Sequence, residues 1–243
     1  MMQEYSRFAG LYSARFFSSE RDEVTDQEKQ DLKNLPTAKA WSIFERAIVA
    51  LQEDGDRAEA ARLFHRIVKE FPETYYADDS LELARELDKM IEEDNKYRPP
   101  DNIATLSLDQ QIAFHIHNLR DVVAYQFMQP GHCLIVGQTR LPDAAPYNAA
   151  YAIRDLGEPA VPYLIELLND RRPIRAVGYW RNFSPNRTVL RYQDAAIQII
   201  NAIREDSPYL RHTTSSYFSI EKERVRTNII SSLRASLEQH KTK

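Results

Sequence analysis

What this chain lacks narrows it before any motif is considered. Cys133 is the only cysteine in 243 residues, so no internal disulfide holds the fold. Glycine occurs only six times, and a chain with so few residues suited to positive φ is best served by helices. No segment reaches the run of about 18 apolar residues that a membrane-spanning helix needs. The N-terminus lacks the apolar core of roughly 7–15 residues found in a secretory signal. No glycine-rich phosphate loop, serine-centred elbow, CxxC pair or HExxH pair occurs. A net charge of −4 argues against general nucleic-acid affinity, which rests on neutralising phosphates.

What is present is a charged, well-patterned polypeptide, 43% hydrophobic and 28% charged, whose apolar residues recur at helical spacing. The plainest case is Leu156 to Arg175, LGEPAVPYLIELLNDRRPIR. Ala149, Ala152, Ile153 and Leu156 form a narrow apolar face on one helix. Gly157 stands where a residue of positive φ ends that helix. Pro159 suits the first turn of a second helix running to about Asn169, with Val161, Leu164, Ile165 and Leu168 as its buried stripe. Two such short helices cannot bury their faces alone and need neighbours on both sides, which is the logic of a solenoid.

On Leu156, Gly157, Ala160, Val161, Pro162, Leu164, Leu167, Leu168, Asp170, Pro173 and Arg175, this stretch resembles a HEAT repeat. The resemblance covers residues 149–204 and implies that Asp170 and Arg175 form the ladder between neighbouring repeats. The alanine-rich helix expected straight after Arg175 is delayed to Val189–Ala196, so residues 176–190 read as an inserted loop.

A second region, residues 41–91, carries Trp41, Phe44, Ile48 and Leu51 on one stripe and Ala60, Leu63, Phe64, Ile67, Val68 and Phe71 on the next. Gly55-Asp56 separates them and Pro72 closes the second. A third helix places Leu83, Ala84, Leu87, Met90 and Ile91 inward. Gly55, Ala60, Phe64 and Pro72 give this region its resemblance to a tetratricopeptide repeat. The junction Phe71–Asp79 resembles bacterial cell-envelope members of that family. The resemblance implies a protein-binding helical scaffold, in the cytoplasm or, after removal of a signal, in a bacterial cell envelope.

The expected fold class is therefore all-α, a helical-repeat (solenoid-like) array with a terminal capping helix. Its segments are residues 1–36, a helical lead-in with Tyr5, Phe8, Tyr12 and Phe16 on one face; 37–96, tetratricopeptide-like; 97–206, HEAT-like with the insertion; and 207–243, the capping helix. Thr25–Glu28 is a capping-box pattern for a short helix stopped by Pro36, and Thr37 is the expected cap of the next. Ser107 or Asp109 caps a helix carrying Ile112, Ile116, Leu119 and Val123 and ending at Gln129–Gly131. Residues 132–146 read as loop with one short strand near Cys133–Val136. Val225, Ile229, Leu233 and Leu237 mark the last helix, from about Ile220 to Gln239.

Chemistry has few footholds. On a helix His115 and His117 point about 200° apart and cannot share a metal, so neither a metal nor a cofactor is expected. The sequence neighbours His132 and Cys133 do not by themselves make a catalytic pair. The expectation is a non-enzyme, with a small hydrolase around His132 and Cys133 as a lesser alternative. The insertion is more telling. Residues 171–191 hold six arginines and no acid, interleaved with Tyr179, Trp180 and Phe183. Arginine and aromatics are the side chains enriched at binding hot spots, so Arg175, Tyr179, Trp180, Arg181, Phe183, Arg187 and Arg191 are the candidate binding residues. Three readings stay open. The stretch docks on the chain's own acidic run, residues 73–94, or plugs its core; it binds a partner protein or peptide; or it binds single-stranded nucleic acid.

Overall fold

The computed structural model describes residues 2–17, 30–31, 34–126, 133–137, 147–179, 185–204, 207, 209 and 217–241. The expected capping box at Thr25–Glu28 lies outside them. The chain is mostly helical, with nine α-helices and two small two-stranded sheets among the described residues. The sheets are a departure from the all-α expectation. By compactness it divides into two units, residues 1–96 with 179–188, and residues 97–178 with 189–243.

In the first unit, α1 (Met2–Phe17), α2 (Pro36–Val49), α3 (Arg57–Glu70) and α4 (Ala77–Lys96) share an aromatic core. The stripe read from the sequence is buried as expected, with Trp41, Phe44, Ile48 and Leu51 meeting Ala60, Leu63, Phe64 and Ile67. Ala60 is fully buried, and α2, α3 and α4 pack in succession. Val68, Phe71 and Ile91 are only half-buried. The α2 helix runs into a π-helical turn, Ala50–Asp54, ended by Gly55 at φ 69° and ψ 15°, the left-handed region. Asp56 then caps α3, its Oδ1 accepting the Glu59 N–H at 2.9 Å.

The start of α2 differs from expectation. Pro36 is its first residue, behind extended Leu35, and Thr37 lies inside the helix with its side chain buried. A carboxylate from another helix serves that end. Glu4 Oε1 of α1 accepts the Thr37 N–H at 3.0 Å and its hydroxyl at 2.7 Å. The hydroxyl's hydrogen bond holds the Glu4 carboxyl below its ordinary range. Of the lead-in rings, Phe8 is buried, Tyr5 stacks on Tyr75 at 4.2 Å, and Tyr12 meets Trp41 edge-on. The side chain of Phe16 lies outside the described residues.

In the second unit, α5 (Leu108–Asn118) begins with a complete capping box between Ser107 and Gln110. It gives way to a 3₁₀ turn, Leu119–Asp121, and ends well short of Gln129. Val122 is buried, Val123 is exposed, and Tyr125–Gln126 (β1) pairs antiparallel with Cys133–Leu134 (β2). The β-branched and aromatic residues after Asp121 favour this extended backbone. Gln198 extends the small sheet with its side chain, accepting the Ile135 N–H and donating to the Cys133 carbonyl.

Helix α6 (Ala149–Leu156) is capped by Asn148 and ends at Gly157. There φ is +70° but ψ is −146°, a region open essentially to glycine alone. A 3₁₀ turn (Glu158–Ala160) leads into α7 (Val161–Leu167), whose Val161, Leu164 and Ile165 are buried as expected, with Leu168 just beyond its end.

Among its described residues the expected loop 176–190 is largely strand, with β3 (Pro173–Tyr179) pairing with β4 (Arg187–Arg191). Val189, Leu190 and Arg191 belong to β4, and the delayed helix α8 spans Tyr192–Ile203. Asp194 sets that boundary, because its Oδ2 accepts the Arg191 N–H at 2.8 Å and caps the helix from inside its first turn. Its other oxygen accepts the Ser219 N–H at 2.8 Å. The last helix, α9, spans Glu223–Lys241, with Ile230 and Leu233 buried and Val225, Ile229 and Leu237 half-buried.

Candidate interaction surfaces

The connection between β3 and β4 is too short for a parallel crossover, which needs a dozen or more residues, so the two strands form a hairpin. Just before the connection, Gly178 lies against the Tyr217 ring so closely that an added Cβ would overlap its hydroxyl. Just after it, in the first unit, Asn186 Oδ1 accepts from the Tyr5 hydroxyl. The Arg187 guanidinium lies 5.6 Å from the centre of the Trp41 ring, a cation–π arrangement.

The structure thus separates the candidate residues. Arg191 is buried, donating from Nη1 to the Arg171 carbonyl at 2.7 Å. Arg187 sits on Trp41, and Arg175 is half-buried on β3. Tyr179 ends β3; its side chain, with Trp180, Arg181 and Phe183, lies outside the described residues. Asp170 holds Arg172, Nη2 to Oδ2 at 2.6 Å, and the same guanidinium lies 4.3 Å from the centre of the Tyr192 ring. The Asp170 carboxylate also accepts the Arg172 N–H at 3.0 Å and so braces its own turn. The Asp170 and Arg172 carbonyls accept the first N–H groups of α8.

Two of the remaining reactive groups, Cys133 and His115, are enclosed. Cys133 is 6% exposed, and burial, with a smaller contribution from Asp194, pushes its thiol up to about 12. A thiol so protonated at neutral pH is a poor nucleophile. His132 lies outside the described residues. His115 is 8% exposed, its Nδ1 3.1 Å from the Tyr147 hydroxyl, and burial lowers its pKa. Among the described residues no group of three or more His, Cys, Asp or Glu side chains converges as metal ligands. Within the same residues no helix is long and apolar enough to cross a membrane.

A second surface emerges in the second unit. Phe114, His117, Asn118 and Asp121 recur at helical spacing along α5 and the turn that follows it, on a stripe apart from buried Ile112 and Leu119. The Tyr97 ring stacks on His117 with centroids 3.5 Å apart, and its hydroxyl is hydrogen-bonded to Asn118. On the other side Tyr147, 47% exposed, lies 6.3 Å from Phe114 and 5.9 Å from His115. Burial of part of its ring, with Tyr97 and Asp121 nearby, pushes the Tyr147 phenol up to about 12. Helical periodicity alone held a signal for this stripe, but it was overshadowed by the stronger isoleucine face.

No protein-family model matches the chain, no curated protein matches it, and no solved structure matches it.

Proposed function

We propose that this chain is a non-catalytic protein-interaction module built from helical repeats, with the β3–β4 connection as its principal contact. One observation carries the reading. The residues Trp180-Arg181-Asn182-Phe183 lie in a short connection whose flanks are tied down, Gly178 against Tyr217 before it and Asn186 and Arg187 on Tyr5 and Trp41 after it. Trp and Arg are residue types that dominate binding energy. Loops are common sites of recognition.

The test compares wild type with a Tyr179→Ala/Trp180→Ala variant whose helical circular dichroism and melting are unchanged. Cross-linking in extract of the source cells identifies captured proteins, and each is then purified and its direct affinity measured. Loss of direct binding in the variant supports the proposal. Equal binding by both proteins refutes the connection as the contact. Tight, steeply salt-dependent binding of a labelled oligothymidylate would replace the protein partner with a nucleic acid.

A further inference from the structure

In the first unit α1 lies on the other helices as a ligand lies on a site. The seat is built from α2 and the junction before α4. The first N–H groups of a helix lack partners inside it, and at α2 the Glu4 carboxylate of α1 takes the Thr37 N–H. The same oxygen accepts the Thr37 hydroxyl, whose residue is 1% exposed. Tyr5 stacks on Tyr75 and meets Tyr76 edge-on at 6.2 Å, and Tyr12 meets Trp41 edge-on at 6.0 Å. Phe8, on the same face of α1, is buried.

Several features mark α1 as a replaceable occupant. Phe8 is buried, but Glu4, Tyr5 and Tyr12 are only half-buried. Gly10 stands inside the helix where an added Cβ would meet nothing within 4 Å, so packing does not require it. Glycine there weakens the helix relative to alanine, and 16 residues are marginal as an isolated helix. In the seat itself, the Trp41 indole N–H and the Tyr76 hydroxyl are buried with no hydrogen-bond partner among the described residues. An occupant that offers them acceptors would fit better than α1 does. From these contacts we infer that Thr37, Trp41, Tyr75 and Tyr76 form a helix-binding seat, filled here by α1, that an amphipathic helix of a partner protein takes by displacement. The occupant's chemistry is read from α1, a carboxylate and aromatic residues at the spacing of Glu4, Tyr5, Phe8 and Tyr12. Anchors spaced in this way are the usual reading of a helix laid on an apolar face. The tether gives α1 a high effective concentration at the seat, so the contact is autoinhibitory and only a better-fitting helix displaces it. The inference rests on the reading of the chain as a protein-interaction module and adds a second contact to it.

The test uses full-length protein and a fluorescein-labelled peptide of residues 2–17, read by fluorescence anisotropy. Seats filled by α1 lower the peptide's apparent affinity in proportion to the fraction left open. Phe8→Ala, which loosens α1, should tighten peptide binding at least about tenfold. Gly10→Ala, which strengthens the helix of α1, should weaken peptide binding about fourfold. Gly10→Ala removes no contact, so the test stands even where Phe8→Ala disturbs the fold. A peptide carrying Glu4→Gln should bind about threefold more weakly than the parent peptide. A benzophenone at peptide position 12 should cross-link to residues 36–49. Equal affinities of wild type and both variants, no binding to any of them up to millimolar peptide, or cross-links confined to residues 97–178 and 189–243 would overturn the inference. Dimerisation of the full-length protein at micromolar concentration, with α1 of one copy cross-linked to α2 of the other, would replace the partner with a second copy. Partner capture through Trp180 is measured separately, so a negative here with capture intact removes this seat and leaves the module reading standing.

Discussion

Replacing Gly178 by alanine is the sharpest probe of how β3 is held. An added Cβ at this position would overlap the hydroxyl and ring of Tyr217, which is itself buried beside Phe218. A buried aromatic ring cannot swing away as a surface lysine would. Overpacking of this kind costs about 1–3 kcal/mol, and an overlap with several ring atoms belongs near the upper end. The substitution also stiffens the unfolded chain, which offsets roughly 0.4–1 kcal/mol. The net loss is about 1–2.5 kcal/mol. For a protein of this length each kcal/mol lowers the melting temperature by about 2–4 °C, so a fall of roughly 2–10 °C is expected. Differential scanning calorimetry is the assay of choice, because two compact units need not melt together. The decisive comparison is Gly178→Ala in a Tyr217→Ala background, where the destabilisation by alanine should largely vanish. If Gly178→Ala melts like wild type, or costs as much without the Tyr217 ring as with it, the close approach of strand and ring is wrong.

Three further outcomes follow from other parts of the molecule. Glu4 caps α2 as a carboxylate, and its folded pKa lies below the ordinary value of 4.5; its contribution is fully present above that value and fades as pH falls through the folded pKa. Glu4→Ala should therefore cost about 1 kcal/mol at pH 7, and the gap from wild type should narrow in melts at pH 3. Ala60→Leu should destabilise the first unit by about 1–3 kcal/mol, read as a lower urea midpoint at unchanged slope. Cys133, enclosed with its thiol pushed up to about 12, should react with a maleimide far more slowly in native protein than in denatured protein at pH 7; equal rates would show the thiol open to solvent.

Much of the helical framework was legible because it is written in short-range signals. The stripe Trp41, Phe44, Ile48, Leu51, the break at Gly55, the capping box at Ser107 and the end of α6 at Gly157 each depend on residues within a few positions of one another. Where the reading failed, a distant group had intervened. Val189–Arg191 can continue a helical pattern, and they lie in β4 because they pair with β3 and because Asp194 caps α8 behind them. Thr37 is a good cap by residue type, yet Glu4, 33 residues earlier, supplies the carboxylate. The helix expected to reach Gln129 stops at Asp121 because Tyr125 and Gln126 pair with Leu134 and Cys133.

The candidate site divides in the same way. The density of arginine and aromatic residues between 171 and 191 is visible in the sequence, and so is the helical spacing of Phe114, His117, Asn118 and Asp121. Which arginines turn inward is not visible there. Arg191 goes to the Arg171 carbonyl, Arg172 to Asp170 and Tyr192, Arg187 to Trp41, and Arg204 to Glu158. The sequence by itself determined where helices can form and which faces are apolar, since both follow from local periodicity and capping. Only the tertiary structure decided strand against helix at 187–191 and the burial of individual charges, because each depends on partners far away along the chain.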